Sequence, residues 1–540
     1  MMKDKLSLHY EEKLESQYDC IDRIVLNAYI PQLHIPGGFR NWYRDFNGDD
    51  KDLTTNRLIK FAGRFSRRVY AFAEKRGILI IESNARERKH EITEEYVPKD
   101  KNFTGLFLII KSRASAYIWD VEEFKSGAIN LKRKQAFVNH YFFHLIDSQW
   151  GHVTIRMCSH PPFNCMVILN GHEFTERKLM KRNIAFEKTD NCFTAYSDGS
   201  VLTQVADTCQ IGQLKNVCDR WMGSCLWFGV DYDAQQRTHL KYQYSIYQVE
   251  YSRNLLFKRG SELDQVYQNI IDLTRSNLNV ERIKTLFGKK YRPHFSKSGN
   301  SALQVRVEKP DYNLTVFKIH FESLTLKLYD KGERTLRAEV VVHNTRDLKC
   351  KRSLDQFSII HKKLRDMMMS FLNNLLYAHV SMIEAGALQK LTGSQKKGKQ
   401  KISGINPLKQ KDAEVIHAVM AVSFKPFGFS TGDVVQKLKK MYGLNLKPTQ
   451  VAYVLRKLKA KGIVVTKKGK RKYRVSSDGL QIMVATTIIT EQQLPKILAC
   501  SNNKDVSKDP LLKNKYSKTY FQLKRSIREF VELSQIKIAA

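Results

Sequence analysis

Arg337 and Glu339 stand two positions apart in LTLKLYDKGERTLRAEVVVHN, residues 324–344, a stretch that reads as two strands folding back on each other. Strand side chains return to one face every second residue. The pair therefore shares a face, where it either meets a nucleic-acid phosphate or braces the sheet. A second constellation is NGHE, in which His172 and Glu173 follow the turn signal Asn170-Gly171, with Asp147 on the preceding hairpin. A histidine and two carboxylates near a sheet edge make a metal site or an acid/base pair. The plainer alternative is helix capping through Asn170 or Glu173, and HEFTE lacks the second histidine of an H-E-x-x-H zinc helix. Asp231 and Asp233 in VDYD form a third acidic pair, serving a metal or flanking a turn. Arg86, Arg88 and Lys89 follow a strand end, where ligands of open α/β sheets sit, unless they are only a solvated charge run.

Several elements must position these residues. DRIVLNAYI, ILIIES and GLFLIIKS read as strands and residues 52–77 as a long amphipathic helix ending at Gly77, the order of an α/β layer. From Asn139 the texture becomes strands with tight turns: a hairpin around Gln149 to Gly151, the strand-like KYQYSIYQVEYSRNLLFKRG, a helix, and then the opening hairpin. Residues 354–386 read as a closing helix whose methionines are packing. The expected fold class is α+β and multidomain: an N-terminal α/β domain (1–135), a central strand-rich domain with the NGHE segment (136–240), and a β-α-β-β domain with its closing helix (241–385). A basic linker (386–408), a compact three-helix unit with a hairpin (409–485) and a helical tail (486–540) complete it.

The charge balance narrows the function classes. The 540 residues carry 91 Lys and Arg against 54 Asp and Glu, a formal net charge of +37 with a pI near 9.7. Such an excess favours a polyanionic partner, and nucleic acid is the commonest. No run of about 18 apolar residues marks a membrane span, and the first residues lack the apolar centre of a secretory signal. The nine cysteines include no C-x-x-C pair, so neither a disulfide framework nor a zinc ribbon is indicated and a cytosolic protein is expected.

The excess is concentrated. Between Gln389 and Val475, 22 Lys and Arg face three acids, a surplus of 19. Within this stretch DAEVIHAVMAVS, STGDVVQKLKKMYG and KPTQVAYVLRKLKAKG are helix signals, and IVVTKKGKRKYRVS is a hairpin. Val451, Val454, Leu455 and Leu458 fall on one helical face, leaving Thr449, Gln450, Tyr453, Arg456 and Lys457 outward. This arrangement resembles the winged helix-turn-helix family. The resemblance implies a third helix in the major groove with its N-terminal residues near base edges. It also implies a wing whose Lys467, Lys468, Lys470, Arg471 and Lys472 lie along phosphates. Winged helices also serve as protein-interaction modules, which would not need such a field.

SIYQVEYSRNLLF, a helix, and then YDKG leading into LRAE resemble rolling-circle replication-initiation proteins of plasmids and filamentous phages. That resemblance implies a metal-assisted nick in which a tyrosine attacks a DNA phosphate. Acidic side chains would hold Mg or Mn, with Glu250 and Glu339 in the acidic positions, Arg337 beside them and Tyr329 in the motif. Asp147 completes the candidate metal set. The chain departs from the pattern in lacking a His-apolar-His pair, since KIHF offers His320 alone. The whole chain is also similar to an uncharacterised bacterial protein family sharing the NGHE, DRW (Asp219 to Trp221), QVE and LRAE segments. The expected function is nucleic-acid binding, foremost of DNA, in a mobile-element or replication-initiation setting. The alternatives are a metal-dependent nicking or cleaving nuclease and an RNA-binding protein.

Overall fold

Long β-rich stretches with residues buried on both faces need helices on both sides, and that demand organises the chain. The computed structural model describes residues 4–84, 87–100, 102–123, 129–277, 306–308, 316–321, 324–331, 334–379, 387–397, 400–466, 472–495, 522–523, 525–526 and 529. The strands are β1 (Leu14–Tyr29), β2 (Leu79–Ser83), β3 (Gly105–Glu123), β4 (Ile129–Asp147), β5 (Gly151–Cys158), β6 (Cys165–Asn170) and a separate hairpin of β7 (Phe186–Thr189) and β8 (Cys192–Tyr196). They continue with β9 (Gln243–Phe257), β10 (Arg306–Glu308), β11 (Val316–Phe321), β12 (Leu324–Asp330) and β13 (Thr335–Val342).

Eleven of these form one mixed sheet in the order β10-β11-β12-β13-β9-β1-β6-β5-β4-β3-β2. All its pairings are antiparallel except β2 with β3. Strands from segments 1–135, 136–240 and 241–385 therefore hydrogen-bond in a single sheet. The first strand sits at its middle, between β9 and β6, and not in a separate N-terminal layer.

Helix Thr55–Arg76 forms where the sequence pattern places it: Thr54 caps its first turn, Gly77 closes it, and Leu58, Phe61, Phe65 and Val69 are buried against β2 and β3. Helix Ile211–Gly229 packs on it. Helix Phe357–His379 covers the other end of the sheet at β9 and β13, together with helix Gly260–Asn277. On the opposite face, helices Gly171–Lys181 and Gly199–Ala206 lie on β1.

Segment 386–408 carries structure of its own. It holds helix Ala387–Thr392 and a small hairpin of Gln395–Lys397 with Gln400–Ile402, and Leu391 and Ile405 are buried. Beyond it come helices Gln410–Val422, Thr431–Tyr442 and Pro448–Ala460, then a strand pair, Val464–Thr466 with Tyr473–Val475. Phe429 forms an isolated antiparallel bridge to Tyr473 that its sequence did not announce. Helix Ser477–Thr487 packs this unit against helix Phe357–His379. No described helix is long and apolar enough to cross a membrane.

Two buried histidines set a pH limit on this fold. Burial lowers the pKa of His140 to about 4 and, with His152 beside it, that of His144 to about 3. Their unfolded counterparts titrate near 6.5, so below that pH the unfolded chain binds protons that the folded chain refuses. Stability is full above about pH 6.5 and falls as pH drops toward 4. Urea midpoints at pH 7.5, 5.5 and 4.5 should decline in that order, and the decline should flatten in His140→Gln and His144→Gln.

Candidate functional site

Cross-strand register brings the central candidates together. Glu339 lies opposite Ser252, Arg337 opposite Asn254, and Glu250 opposite Val341 on β9 and β13. On β12, Lys327 faces Glu339 and Tyr329 faces Arg337. Directly paired residues share a face. One side of the sheet thus carries Glu250, Ser252, Asn254, Arg337, Glu339, Lys327 and Tyr329 as a continuous polar floor. β1 adds Asp22 at a register shift between Ile21 and Arg23.

His172 joins them from the first turn of helix Gly171–Lys181. Asn170 caps that helix by accepting the N–H groups of His172 and Glu173. Gly171 is required by close approach, since a Cβ there would lie 1.8 Å from the carbonyl oxygen of Ile21. The glycine lets the helix start press onto β1 and delivers His172 to Asp22.

His172 Nδ1 lies 2.6 Å from Asp22 Oδ1, which also accepts from Asn191 Nδ2 at 2.7 Å. Burial lowers the His172 pKa against the pull of Asp22. Its Nε2 lies 3.4 Å from Tyr18 Oη and 3.5 Å from Arg337 Nη2. Arg337 donates through Nε to Asn254 Oδ1 at 2.7 Å and through Nη2 to the Asn191 carbonyl, and its Nη1 sits 3.6 Å from Asp22 and 3.9 Å from Glu339. Glu339 accepts from Lys327 at 2.7 Å and from the Tyr329 hydroxyl.

Burial would raise the Asp22 carboxyl, but Arg337 and His172 override it and hold it well below the carboxylate range. Burial likewise works against charged Lys327 and Arg337, and the carboxylates beside them restore it. Glu250 is displaced upward by burial, and Gln248 donates to it at 2.6 Å. Tyr329 is raised by burial and by Glu339.

Charge on this floor is self-balanced. Asp22, Glu250 and Glu339 stand against Arg23, Lys327 and Arg337. Asp22, His172, Arg337 and Glu339 are each at most 4% exposed, so a DNA phosphate has no path to Arg337 as the cluster stands. The arrangement locks four strands and a helix start into register.

Asp147 is elsewhere. Four strand spacings, about 19 Å, separate β4 from β9. Asp147 is gripped by Arg220 at 2.8 Å, by Trp221 Nε1 at 2.8 Å and by the Gln149 and Trp150 amides. The DRW segment is thus the clamp on a turn aspartate. Asp147, Glu250 and Glu339 do not meet as a metal triad, and among the described residues no group of three or more His, Cys, Asp and Glu side chains is placed to hold a metal ion. Glu173 points away from His172 and pairs with Lys188 at 2.6 Å. Asp231 pairs with Arg68 at the start of helix Tyr232–Thr238, which also holds Asp233. Arg88 pairs with Glu91, His320 bonds Thr325 at 2.9 Å, and Arg86 lies outside the described residues.

At the other candidate surface, helix Pro448–Ala460 buries Val451, Val454, Leu455 and Leu458. Thr449, Gln450, Tyr453 and Arg456 are exposed, Tyr453 at 49%. Gln450 Oε1 accepts the Lys447 N–H at 3.1 Å and so caps its own helix. Arg456 and Lys457 lie over the Tyr453 ring at 5.4 and 4.9 Å. Lys457 is half-buried, donating to the Gly404 carbonyl at 3.1 Å, and Lys461 donates to that of Gly393. Lys472 is half-exposed beside the hairpin, whereas Lys467, Lys468, Lys470 and Arg471 lie outside the described residues.

Asp22, Tyr18, Asn191, Asn254 and Lys327 belong to the central cluster although no sequence motif marks them. A polar Asn inside an apolar strand, as in SRNLLF, is the one signal that points to Asn254. Compared with protein families, with characterised proteins and with solved structures, the chain matches none.

Removing Arg337 strands the Asp22 carboxylate. Arg337→Met should lower unfolding free energy by about 3–5 kcal/mol, whereas Tyr329→Phe should cost only about 1 kcal/mol. Urea denaturation followed by circular dichroism checks both.

Proposed function

We propose that this chain binds duplex DNA through a C-terminal winged helix-turn-helix, in the cytosolic setting of a mobile element or a replication initiator. The observation that carries the reading is the exposed face of helix Pro448–Ala460: Thr449, Tyr453 and Arg456 stand outward over a buried apolar stripe, in a stretch with a surplus of 19 positive charges. Three helices followed by a hairpin, which Phe429 bridges, support the family resemblance. The described cysteines are all free thiols, which suits a reducing compartment. In this reading Arg456 and Tyr453 approach the groove and Lys472, with the basic residues before it, follows phosphates.

Tyr453→Ala with Arg456→Gln in the full chain should weaken binding of a 30-base-pair duplex about tenfold. It should also reduce the slope of log affinity against log salt by about 0.9 for each phosphate that is no longer neutralised, as read by fluorescence anisotropy. Unchanged affinity and slope would reject the assignment, and tighter binding of an RNA hairpin than of the duplex would move the partner to RNA.

The nicking alternative has one interaction in its favour, the Tyr329 hydroxyl on Glu339, since a carboxylate so placed can take the proton of an attacking hydroxyl. Supercoiled plasmid incubated with the protein and Mg or Mn ions tests it. Relaxed circles that vanish with Tyr329→Phe would establish the activity, and intact plasmid under both metals would dismiss it.

A further inference from the structure

We infer that helix Thr55–Arg76 is a second nucleic-acid contact, a phosphate-backbone surface on the body of the protein separate from the C-terminal unit. The inference rests on the nucleic-acid reading above and extends it to a surface that reading does not use. Outside residues 389–475 the remaining surplus is 18 positive charges, and this one helix supplies six of them, seven Lys and Arg against Glu74. The apolar side of the helix is already spent on the sheet: Leu58, Phe61, Ala62, Phe65, Val69 and Ala73 are buried. Of its large apolar side chains only Ile59 and Tyr70 are exposed, and the Tyr70 hydroxyl is held by Glu82 and Lys111, so the helix presents too little apolar surface to insert into a lipid bilayer, which separates it from a basic membrane-surface helix.

The cations divide by job. Arg57 and Arg68 are engaged internally, by Asp52 at 3.7 Å and by Asp231. Lys60, Arg67 and Lys75 are exposed and make no ion pair among the described residues. Arg64 lies over the Phe61 ring at 5.9 Å, half-exposed and one turn from both Lys60 and Arg67. Like charges at i, i+3 and i+4 repel on a helix, so this row costs the free protein stability that a polyanion would return. Between Lys60 and Arg67 stands Gly63, where an added Cβ would meet only the Arg67 side chain, at 3.7 Å. The row is flat at its centre and open to a sugar-phosphate backbone, whose negative charges repeat at about 3.4 Å per strand.

Contacts of this kind position the nucleic acid and carry no sequence preference. Lys60→Gln with Arg67→Gln in the full chain should weaken binding of a labelled 30-base-pair duplex or 30-nucleotide single strand severalfold. The salt slope should fall by roughly two, equally for unrelated sequences, while the thermal midpoint holds or rises because like-charge repulsion is relieved. Arg67→Lys, which keeps the charge, should retain the slope. If the glutamine variant keeps the wild-type slope while the Tyr453/Arg456 variant lowers it, this inference fails and the C-terminal reading stands. If neither variant moves the slope, both fail. Weakened binding to phosphatidylserine vesicles with DNA binding intact would also overturn it.

Discussion

A charge taken into the middle of a sheet that is covered on both sides must meet its opposite there, and β9 does this on both of its faces. Towards one face Arg253, fully buried, donates to Asp19 through Nε at 2.6 Å and to Asp4 at 2.6 Å, while Tyr251 also reaches Asp19. Towards the other, Asn254 holds Arg337, which faces Asp22 and Glu339. Removing one partner of such a pair is far costlier than never having buried it. The two networks therefore fix which residues of β1, β9, β12 and β13 can lie side by side. A one-residue slip would send every cation to the wrong face.

That register explains why the acidic and basic residues that look catalytic in sequence are mutually satisfied in the fold. Glu339 has Lys327 and Tyr329, and Arg337 has Asn254 and Asn191. The exposed candidates lie on helices at the periphery, Tyr453 and Arg456 near one end of the chain and Lys60 and Arg67 near the other. The molecule commits its central charges to specificity of fold and leaves its peripheral ones to solvent.

Local signals carried most of the secondary structure. Thr54 and Gly77 bracket their helix, Asn170 caps the one after β6, and the YDKG hairpin pairs Leu324–Asp330 with Thr335–Val342. Each of these depends on neighbours within a few residues. The assembly of the sheet does not, because nothing in DRIVLNAYI says that its neighbours are residues near 170 and 250. The central cluster was half legible for the same reason. Arg337 and Glu339 announce themselves by spacing, but Asp22 meets His172 from the far side of five intervening strands in the chain. Asp147 looked like a companion of His172 because the two are close in sequence, yet Arg220 and Trp221 claim it.

The placement of β1 at the centre of the sheet has a consequence for how the protein is made. Its two partners arrive late: β6 ends at Asn170 and β9 at Phe257. A ribosome that has released only the first strand and the helices after it has exposed an unmatched central strand with both hydrogen-bonding edges open. Such long-range closure is intrinsically slow. That strand finds both neighbours only after the chain has been made as far as Phe257.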